Sequence, residues 1–360
     1  MPANENQKRI LIAGAGPTGL TAAVELVRLG IIPKIIDKKD GPSVLSRAVG
    51  ILPSSLNTLK PSGVTAQLLS EGVRLQTVQI FRGSKKLVRF SLTGGHPDWD
   101  YAIALAQDRT ESALRDAFHR YGGLVSYDNE LTGLRQDEGN VFVTINNGKE
   151  EKYAYVLGAD GIHSVVRNSL GVDYPGFDLP ETWSIADVDA FNWPYHEMFT
   201  VCLVNHGKVV VVAPLEENRY RVISNTEDAL AELPLKLDVK NKHREGQFTI
   251  SIRQVKEYKI GRVFLAGDAA HCHSPAGGRG MNLSIADAAE FARRIDEDDL
   301  EGYSESRHMA GAETIGRSER ARKMLTSTGF ISSLTLSALA LLINMLPPVQ
   351  HQMAKNFLGE

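Results

Sequence analysis

The sequence predicts an α/β fold with a Rossmann-like nucleotide-binding domain, an inserted antiparallel-sheet domain and a C-terminal helical region. Three observations support this prediction. A strand, a glycine-rich turn, a helix and a second strand follow one another over residues 9–37. Residues 176–253 contain many alternating or β-branched runs, which are typical of an antiparallel sheet. Short apolar strands lead into the turns at 160–161 and 267–268, which indicates that the first domain resumes later in the chain.

Composition and charge narrow the class of protein. The chain has 360 residues, 42% hydrophobic and 23% charged, which is ordinary for a globular protein of about two to three domains. A net charge of −3 gives no sign of a nucleic-acid partner. The two cysteines, Cys202 and Cys272, are far apart, and the polar first eight residues show no signal-peptide core. We therefore expect a reducing, cytoplasmic location.

The first unit has the parts that bind an ADP moiety. An apolar strand at 10–13 runs into the turn Gly14-Ala15-Gly16-Pro17-Thr18-Gly19, and a helical pattern follows. In such turns the first glycine permits the tight bend, the second lets the backbone approach a pyrophosphate, and the third lets the helix pack on the strand. The N–H groups and the positive dipole end at the helix start then face the phosphates.

An acidic residue completes this unit. Asp37 closes the second strand, at 34–36, and can accept hydrogen bonds from ribose hydroxyls. The neighbouring Lys38-Lys39 pair has the charge of a 2′-phosphate site, but an acid at the strand end disfavours a 2′-phosphate. We therefore predict a solvated turn at Lys38-Lys39 rather than a 2′-phosphate site, with Lys38 among the residues that bind the dinucleotide.

The rest of the chain divides into alternating helical and strand patterns. Helical spacing occurs at 56–69, with a break at 61–63, and at 111–121 and 227–235. Strand patterns occur at 73–81, 87–92, 101–106, 130–136, 141–145, 153–158, 183–190, 198–204, 209–214, 220–224, 248–253 and 262–266. The aromatic residues between 191 and 199 are more typical of a core than of a substrate cage.

The C-terminal region contains one segment with two interpretations. Residues 330–346 carry no charge and are rich in Leu, Ile, Ala and Ser, and Pro347-Pro348 interrupts them. The segment is barely long enough to cross a bilayer. We expect a helix packed on the main domain; the alternative is a monotopic contact with a membrane surface.

Three separated motifs occur together in this chain. They are the turn at 14–19 with Asp37, the run Gly158-Ala159-Asp160-Gly161-Ile162-His163-Ser164-Val165-Val166-Arg167, and Gly267-Asp268-Ala269-Ala270-His271 with Pro275 and Gly277-Gly278-Arg279-Gly280-Met281-Asn282. The set resembles the p-hydroxybenzoate-hydroxylase-type FAD monooxygenases, the class A or single-component aromatic hydroxylases. The resemblance covers about residues 8–300, and the complete motif set is highly specific.

The resemblance implies a fold and a reaction. It implies a three-layer ββα FAD-binding domain at 1–72, 93–175 and 257–300, a substrate-binding sheet domain at 73–92 and 176–256, and helices at 301–360. It also implies FAD as the cofactor, NAD(P)H as a transient reductant, and O2 and an aromatic or polyketide-like small molecule as substrates. Hydroxylation would pass through a flavin C4a-hydroperoxide. A second GxGxxG, which a docked nicotinamide domain would usually need, does not occur in the sequence.

Roles for individual residues follow from the resemblance. Gly267 and Asp268 would meet the ribityl chain, Gly277, Gly278 and Gly280 would approach the flavin ring, and the helix from Met281, with Asn282, would face its pyrimidine edge. Pro275 would lie beside the ring where substrate and oxygen meet. Asp160, Gly161 and Arg167 would touch FAD and the nicotinamide. The remaining cofactor contacts would come from Arg47, Ala48 and Gln107.

Two departures from the family and two alternatives accompany this assignment. Many family members have Glu where this chain has Asp37, and Gln where it has Arg279. The resemblance assigns Arg279 a catalytic role together with Pro275. A cation at position 279 would alter the flavin potential or the substrate charge preference. The sequence His271-Cys272-His273 lacks further spaced ligands, so we expect no metal site. The alternatives are a non-catalytic or reductase-type flavin-binding protein, and a plain NAD-dependent dehydrogenase that would leave the 268–282 loop unexplained.

Overall fold

The computed structural model describes residues 9–43, 48–328 and 330–359. Their β-strands are, in chain order, β1 (Ile10–Ala13), β2 (Lys34–Ile36), β3 (Gly50–Ile51), β4 (Val73–Leu75), β5 (Thr77–Arg82), β6 (Lys85–Ser91), β7 (Ala102–Ala104), β8 (Val125–Ser126), β9 (Leu131–Gln136), β10 (Val141–Ile145), β11 (Glu150–Tyr153), β12 (Tyr155–Gly158), β13 (Gly176–Phe191), β14 (Met198–Leu203), β15 (Val209–Glu216), β16 (Arg219–Ser224), β17 (Asp238–Gln254), β18 (Lys259–Ile260), β19 (Val263–Leu265) and β20 (His271–Cys272). Their α-helices are α1 (Pro17–Arg28), α2 (Pro53–Leu59), α3 (Val64–Glu71), α4 (Gln107–Arg120), α5 (Val165–Ser169), α6 (Gly280–Glu297), α7 (Tyr303–Thr326), α8 (Phe330–Met345) and α9 (Pro347–Leu358).

A largely parallel sheet carries the three motifs. The described residues form a six-stranded sheet in the order β18-β19-β12-β1-β2-β8, parallel except for the β18–β19 pair. Strands β1, β12 and β19 are buried along their whole length, as expected for parallel strands covered on both faces. Helices α1, α4 and α6 contribute to the same buried core, as does the β11-β10-β9 meander. The predicted α/β fold is therefore confirmed.

A second sheet is mostly antiparallel. Within the described chain it has eight strands in the order β20-β17-β13-β16-β15-β14-β5-β6, and only the β14–β5 pairing is parallel. The hairpin β5–β6 comes from early in the chain, whereas β20 belongs to the third motif. Because β20 is both a strand of the second sheet and part of the third motif, it links the second sheet to the first.

Several predicted elements differ from the observed ones. The predicted helix at 227–235 is wrong: Asp228 Oδ1 accepts hydrogen bonds from the N–H groups of Leu230 and Ala231, both at 3.0 Å, and these close a turn before Pro234. Strand β17 extends far upstream of the predicted 248–253, because its exposed polar half pairs with β13. The predicted strand at 153–158 is two strands that belong to different sheets.

The C-terminal helices pack on the second sheet. Helix α8 contacts β6 through the buried residues Ala340 and Ile343, and Asn344 Nδ2 donates to the carbonyl oxygen of Leu87 at 3.0 Å. In the parts of the chain that the structure describes, no helix is long and apolar enough to span a bilayer.

Candidate cofactor and active site

The three motifs lie side by side at one edge of the parallel sheet. Each follows the carboxyl end of a strand, and these strands are neighbours in the order β19, β12, β1, β2. Short backbone hydrogen bonds join the turns: Gly14 N–H donates to Ile36 at 2.8 Å, and Ala159 N–H donates to Ala13 at 2.8 Å. In open α/β sheets this edge is where ligands bind. The sequence places the motifs more than 100 residues apart, and the sheet brings them together.

The first turn combines close packing with open space. Gly14 has a φ of +104°, and a Cβ on it would overlap the carbonyl group of Ala159. A Cβ on Gly19 would overlap the carbonyl oxygen of Gly14, so Gly19 permits helix α1 to approach the turn. By contrast, no described heavy atom lies within 4 Å of the Cβ position of Gly16. An approaching pyrophosphate would have room at Gly16 and would meet the N-terminus of α1.

The start of α1 also links the first motif to the third. Pro17 occupies the first turn of the helix, where its missing N–H costs nothing. Thr18 is buried, and its hydroxyl packs so closely on Gly267 that a Cβ on Gly267 would overlap it. Gly267 has a φ of +60°, which also favours glycine. The two turns therefore pack directly on each other.

Asp37 lies beside the first turn. Its Oδ2 accepts a hydrogen bond from Ala15 N–H at 2.8 Å, and its Oδ1 accepts one from Lys39 N–H at 2.9 Å. Each carboxylate oxygen has a second lone-pair direction, so the group can still accept from ribose hydroxyls. The exposed Lys38 ammonium lies 3.9 Å from Glu130, on the surface.

The segment that carries Ala48 is anchored to α4. Ala48 N–H donates to Gln107 Oε1 at 3.1 Å, and Gln107 Nε2 donates to Glu111 at 2.9 Å. Burial raises the pKa of Glu111. Arg47, predicted to contact the cofactor, lies outside the described residues. Gln107 therefore fixes the backbone at Ala48, next to the position predicted for the pyrophosphate.

The second motif holds a buried arginine. Arg167 is 5% exposed, and its guanidinium donates to the carbonyl oxygens of Ala269 at 3.0 Å and Ile162 at 2.9 Å. It also lies 4.1 Å from the centre of the Tyr174 ring, and burial lowers its pKa. Through these two hydrogen bonds, Arg167 connects the second motif to the third. This geometry favours a positioning role over the predicted direct contact with a nicotinamide.

Asp160 and Gly161 form the turn before that arginine. Asp160 Oδ2 accepts a hydrogen bond from Val166 N–H at 3.1 Å, and burial raises the pKa of the Asp160 carboxyl. Gly161 has a φ of +82°. The acid therefore holds the start of α5 against the end of β12, beside the first turn.

The third motif exposes a glycine loop at a helix start. Pro275, Gly277 and Gly278 are exposed, and both glycines have positive φ values, +88° and +62°. The 18-residue helix α6 begins at Gly280, and Met281 is buried behind it. Such a start presents free N–H groups and a positive dipole end to an anionic edge. Asp268 is exposed at the same edge, and its carbonyl oxygen accepts from Tyr174 Oη at 2.9 Å.

The Asn282 side chain has a different partner from the one predicted. Its Oδ1 accepts from Leu52 N–H and Ser55 Oγ, both at 2.8 Å, and its Nδ2 donates to the carbonyls of Gly50 at 3.0 Å and Gly278 at 2.9 Å. These four bonds use the full capacity of a carboxamide. The side chain ties α6 to the 50–55 segment, which leaves the backbone N–H groups of the helix start for a flavin edge.

This arrangement gives a testable prediction for Asn282→Asp. The carboxylate keeps the acceptor bonds but faces the carbonyl oxygens of Gly50 and Gly278 without a donor. We expect the free energy of unfolding to fall by about 2–3 kcal/mol, as for buried polar groups left unpaired. Urea unfolding measures the effect, with Asn192→Asp, at an exposed position, as a control expected within about 0.5 kcal/mol of wild type. An unchanged midpoint for Asn282→Asp would contradict this assignment.

Sequence reasoning missed a buried carboxylate that holds the third motif. Asp287 is fully buried in α6 and accepts from Gly267 N–H at 3.0 Å, His271 Nε2 at 2.6 Å and Arg307 Nε at 2.7 Å. Burial alone would raise the pKa of Asp287, but the charges of His271 and Arg307 and these hydrogen bonds hold it below its ordinary value. The sequence did contain a signal for this contact: Asp287 lies within the apolar stripe of a helix, and an acid in such a position usually has a buried partner.

Neither histidine of the third motif belongs to a metal centre in the described residues. No cluster of three or more His, Cys, Asp or Glu with metal-holding geometry occurs among those residues. His271 is used by Asp287, whereas His273 Nδ1 lies 2.8 Å from the carbonyl oxygen of Ser274. Burial lowers the pKa of His273 to about 4, so its ring is neutral near pH 7. His273 therefore adds no positive charge to the glycine loop of the third motif.

A second ion pair missed by sequence reasoning lies on the second sheet. The fully buried Arg221 makes two hydrogen bonds with Asp187, at 2.7 and 2.6 Å, and donates to the carbonyl oxygen of Ala48 at 3.3 Å. The strand register places Arg221 on the same face as the partly buried Val211 and Ile223. This face of the second sheet therefore contacts the segment that carries Ala48, and we call it the substrate face after the substrate-binding role predicted for this sheet.

Phe199 extends the substrate face. It lies on β14, and the pairing of Thr200 with Val212 and of Val201 with Val211 places Phe199 on the side of the sheet that holds Val211. Phe199 is partly buried, and its ring contacts that of Phe357 from α9, with the ring centres 5.8 Å apart. The substrate face is thus apolar, and its charged members pair with each other.

Comparison with known proteins gives consistent relatives. The sequence model of the FAD binding domain family matches residues 7–237 and 227–324. The chain is 30% identical to 6-methylpretetramide 4-monooxygenase of Streptomyces rimosus, over 99% of this chain and 67% of the relative. It is 31% identical to rifampicin monooxygenase of Streptomyces venezuelae, over 89% of this chain and 72% of the relative.

A solved structure supports the same architecture. The crystal structure of p-nitrophenol 4-monooxygenase PnpA from Pseudomonas putida superposes with a TM-score of 0.88 and covers 97% of both chains. The two sequences are 19% identical, so this likeness concerns the fold alone.

Proposed function

Because the chain belongs to the FAD binding domain family and to its p-hydroxybenzoate-hydroxylase type, we propose that it hydroxylates an aromatic or polyketide-like small molecule with NAD(P)H and O2. It is an FAD-dependent monooxygenase, and its cofactor is FAD. The proposed substrate class follows from relatives that act on 6-methylpretetramide and rifampicin. We also retain the predicted division into FAD-binding, substrate-binding and C-terminal helical parts as a proposal.

One observation carries the proposal: three separated turns meet at the carboxyl edge of one sheet. The space at Gly16, the acceptor oxygens of Asp37 and the exposed glycines at 277 and 278 fit the pyrophosphate, ribose and ring of FAD. A single dinucleotide turn would explain the space at Gly16 alone. A dehydrogenase that used only that turn would have no role for the glycine loop.

The residues of this chain have defined tasks in such a site. When bound, FAD supplies the redox chemistry, taking up a hydride from NAD(P)H and passing one oxygen atom of O2 to the substrate. The N-terminus of α1 holds the pyrophosphate, and Asp37 orients the ribose. The start of α6 directs N–H groups and a positive dipole at the pyrimidine edge, where negative charge develops on reduction. The route through a C4a-hydroperoxide stays a prediction.

The substrate face excludes water from the reacting ring. Phe199, Val211 and Ile223 provide an apolar surface on the sheet face from which Arg221 reaches the Ala48 carbonyl, and pairing with Asp187 offsets the charge of Arg221. A dry, apolar surface favours a flat, uncharged ring over a strongly anionic substrate. Pro275 is exposed on the glycine loop, and we infer that it would border the space where the substrate and the ring meet.

Reconstitution with isotopically labelled oxygen tests the proposal. The purified chain with FAD is mixed with NADPH or NADH and a panel of phenols and polyketide aromatics under 18O2. We expect substrate-stimulated oxidation of the reductant and a product that gains one labelled oxygen atom. The Gly16→Ala variant, expected to bind FAD about 100-fold more weakly, is the control, assayed with no more FAD than is needed to load the wild type. Protein that holds FAD but resists reduction by both nicotinamides with every substrate would instead support the non-catalytic flavin-binding alternative.

A further inference from the structure

The C-terminal helix α9 ends against the start of α6. The guanidinium of Arg279, which immediately precedes α6, donates a hydrogen bond to the carbonyl oxygen of Asn356 in the last turn of α9. A Cβ on the capping residue Gly359 would lie 3.5 Å from Arg279 Nη1 and 3.9 Å from Leu52 Cδ1. The end of α9 thus contacts both the glycine loop and the segment that Asn282 holds.

The charges at this junction explain why an arginine is stable there. The last carbonyls of a helix have no partner within it, and they attract cations. Arg279 is the residue before α6, where the positive end of that helix disfavours a cation. Burial lowers the pKa of Arg279, and the nearby charge of Arg317 lowers it further. The charge of Glu313 opposes these shifts, and the carbonyl end of α9 supplies a hydrogen-bond acceptor for the guanidinium, so α9 helps to hold Arg279 in place.

The inner side of α9 is closely packed. Ala354 and Leu358 are buried in the cluster that includes Leu52, and a Cβ on Gly95 would come within 3.0 Å of Ala354. Phe357, the residue after Asn356, contacts Phe199 of the substrate face. A shift of α9 would therefore move the Phe357 ring relative to the surface on which the substrate is proposed to lie.

We propose that Arg279 is a positioning residue that clamps α9 onto the glycine loop, and that α9 forms one wall of the substrate site through Phe357. The second half of this inference rests on the proposed function, whereas the clamp itself rests only on the contacts of Arg279. The predicted catalytic role of Arg279 is thereby replaced by an indirect one. Phe357 becomes the residue of α9 that sets how large a ring can enter.

Hydrogen exchange on the full chain, with FAD supplied, tests the clamp. Arg279→Gln removes the charge and shortens the donor, so we expect the amides of the last turn of α9 to exchange about tenfold faster. Arg279→Lys keeps the charge without the planar fork and should restore part of the protection. Arg320→Gln removes an exposed cation of α7 and should leave α9 exchange unchanged. Equal protection of α9 in Arg279→Gln and the wild type would overturn the clamp.

Substrate kinetics test the wall. Phe357→Ala enlarges the site, so we expect the ratio of kcat/KM for three-ring over one-ring substrates to rise about tenfold. Phe177→Ala, at an exposed position on β13, serves as the matched control and should keep the wild-type ratio. An unchanged ratio in Phe357→Ala would overturn the wall. If the wild type itself shows no turnover, the proposed function fails, and the exchange comparison still decides the clamp.

Discussion

Gly16→Ala is expected to lower the affinity for FAD by about 100-fold while the chain folds normally. The backbone at Gly16, with φ of −79° and ψ of −172°, is open to alanine, and within the described structure its Cβ would meet no heavy atom closer than 4 Å. The added methyl group would occupy the space that a pyrophosphate needs, and it would displace the phosphate from the N–H groups of α1. A loss of close contact and of charge-assisted hydrogen bonds accounts for this size of effect.

Two further glycines make this prediction specific. Gly316→Ala, in α7, also adds a methyl group into a space free of described atoms, and it should leave FAD affinity unchanged. Gly14→Ala should also lose FAD binding, but for another reason. Its Cβ would overlap Ala159 at a φ of +104°, so the substitution would destabilise the fold itself. FAD titration by fluorescence quenching and thermal unfolding separate the two effects. Wild-type affinity in Gly16→Ala would contradict the placement of the pyrophosphate.

Asp287→Asn is expected to lower the free energy of unfolding by about 3–5 kcal/mol at pH 7. The substitution leaves the buried guanidinium of Arg307 without its counter-charge, and breaking a buried ion pair by removing one partner has this cost. It also weakens the hold on Gly267 and so loosens the third motif. Urea unfolding measures the loss, with Asp296→Asn, an exposed position on the same helix, as a control expected within about 0.5 kcal/mol of wild type.

The pH dependence of this difference follows from the lowered pKa of Asp287. A carboxyl with a lowered pKa in the folded state stabilises the protein fully above its unfolded pKa, near 4, and loses that contribution as the pH falls through the folded value. The gap in stability between wild type and Asp287→Asn should therefore be largest near neutral pH and should narrow in acid. A gap that widens as the pH falls would contradict the assigned charge of Asp287.

The parts of the fold that were predictable depend on local backbone demands. Gly14 and Gly267 occupy positive φ values that other residues rarely adopt, so their turns are visible in the sequence. The apolar runs of β1, β12 and β19 have the composition of strands buried on both faces. These two signals were sufficient to predict the strands and the turns that follow them, whereas the meeting of the three turns at one edge of the sheet is seen in the structure.

The parts that were missed depend on contacts between distant residues. The pairing of Arg279 with Asn356 joins positions 77 residues apart, and that of Arg221 with Asp187 joins positions 34 apart. No local pattern specifies either contact. The full use of the Asn282 amide likewise depends on Leu52, which is 230 residues distant. Strand β17, which lies next to the short edge strand β20, was underestimated for a simpler reason: its first half is largely exposed and lacks hydrophobic alternation.

The most direct test of the account is the stoichiometry and affinity of FAD for the purified chain, measured by titrating FAD-free protein and following flavin fluorescence. The account predicts one FAD per chain with a micromolar or lower Kd, because three turns contact a single nucleotide. A chain that is folded but leaves the flavin signal unchanged at saturating concentrations would contradict it.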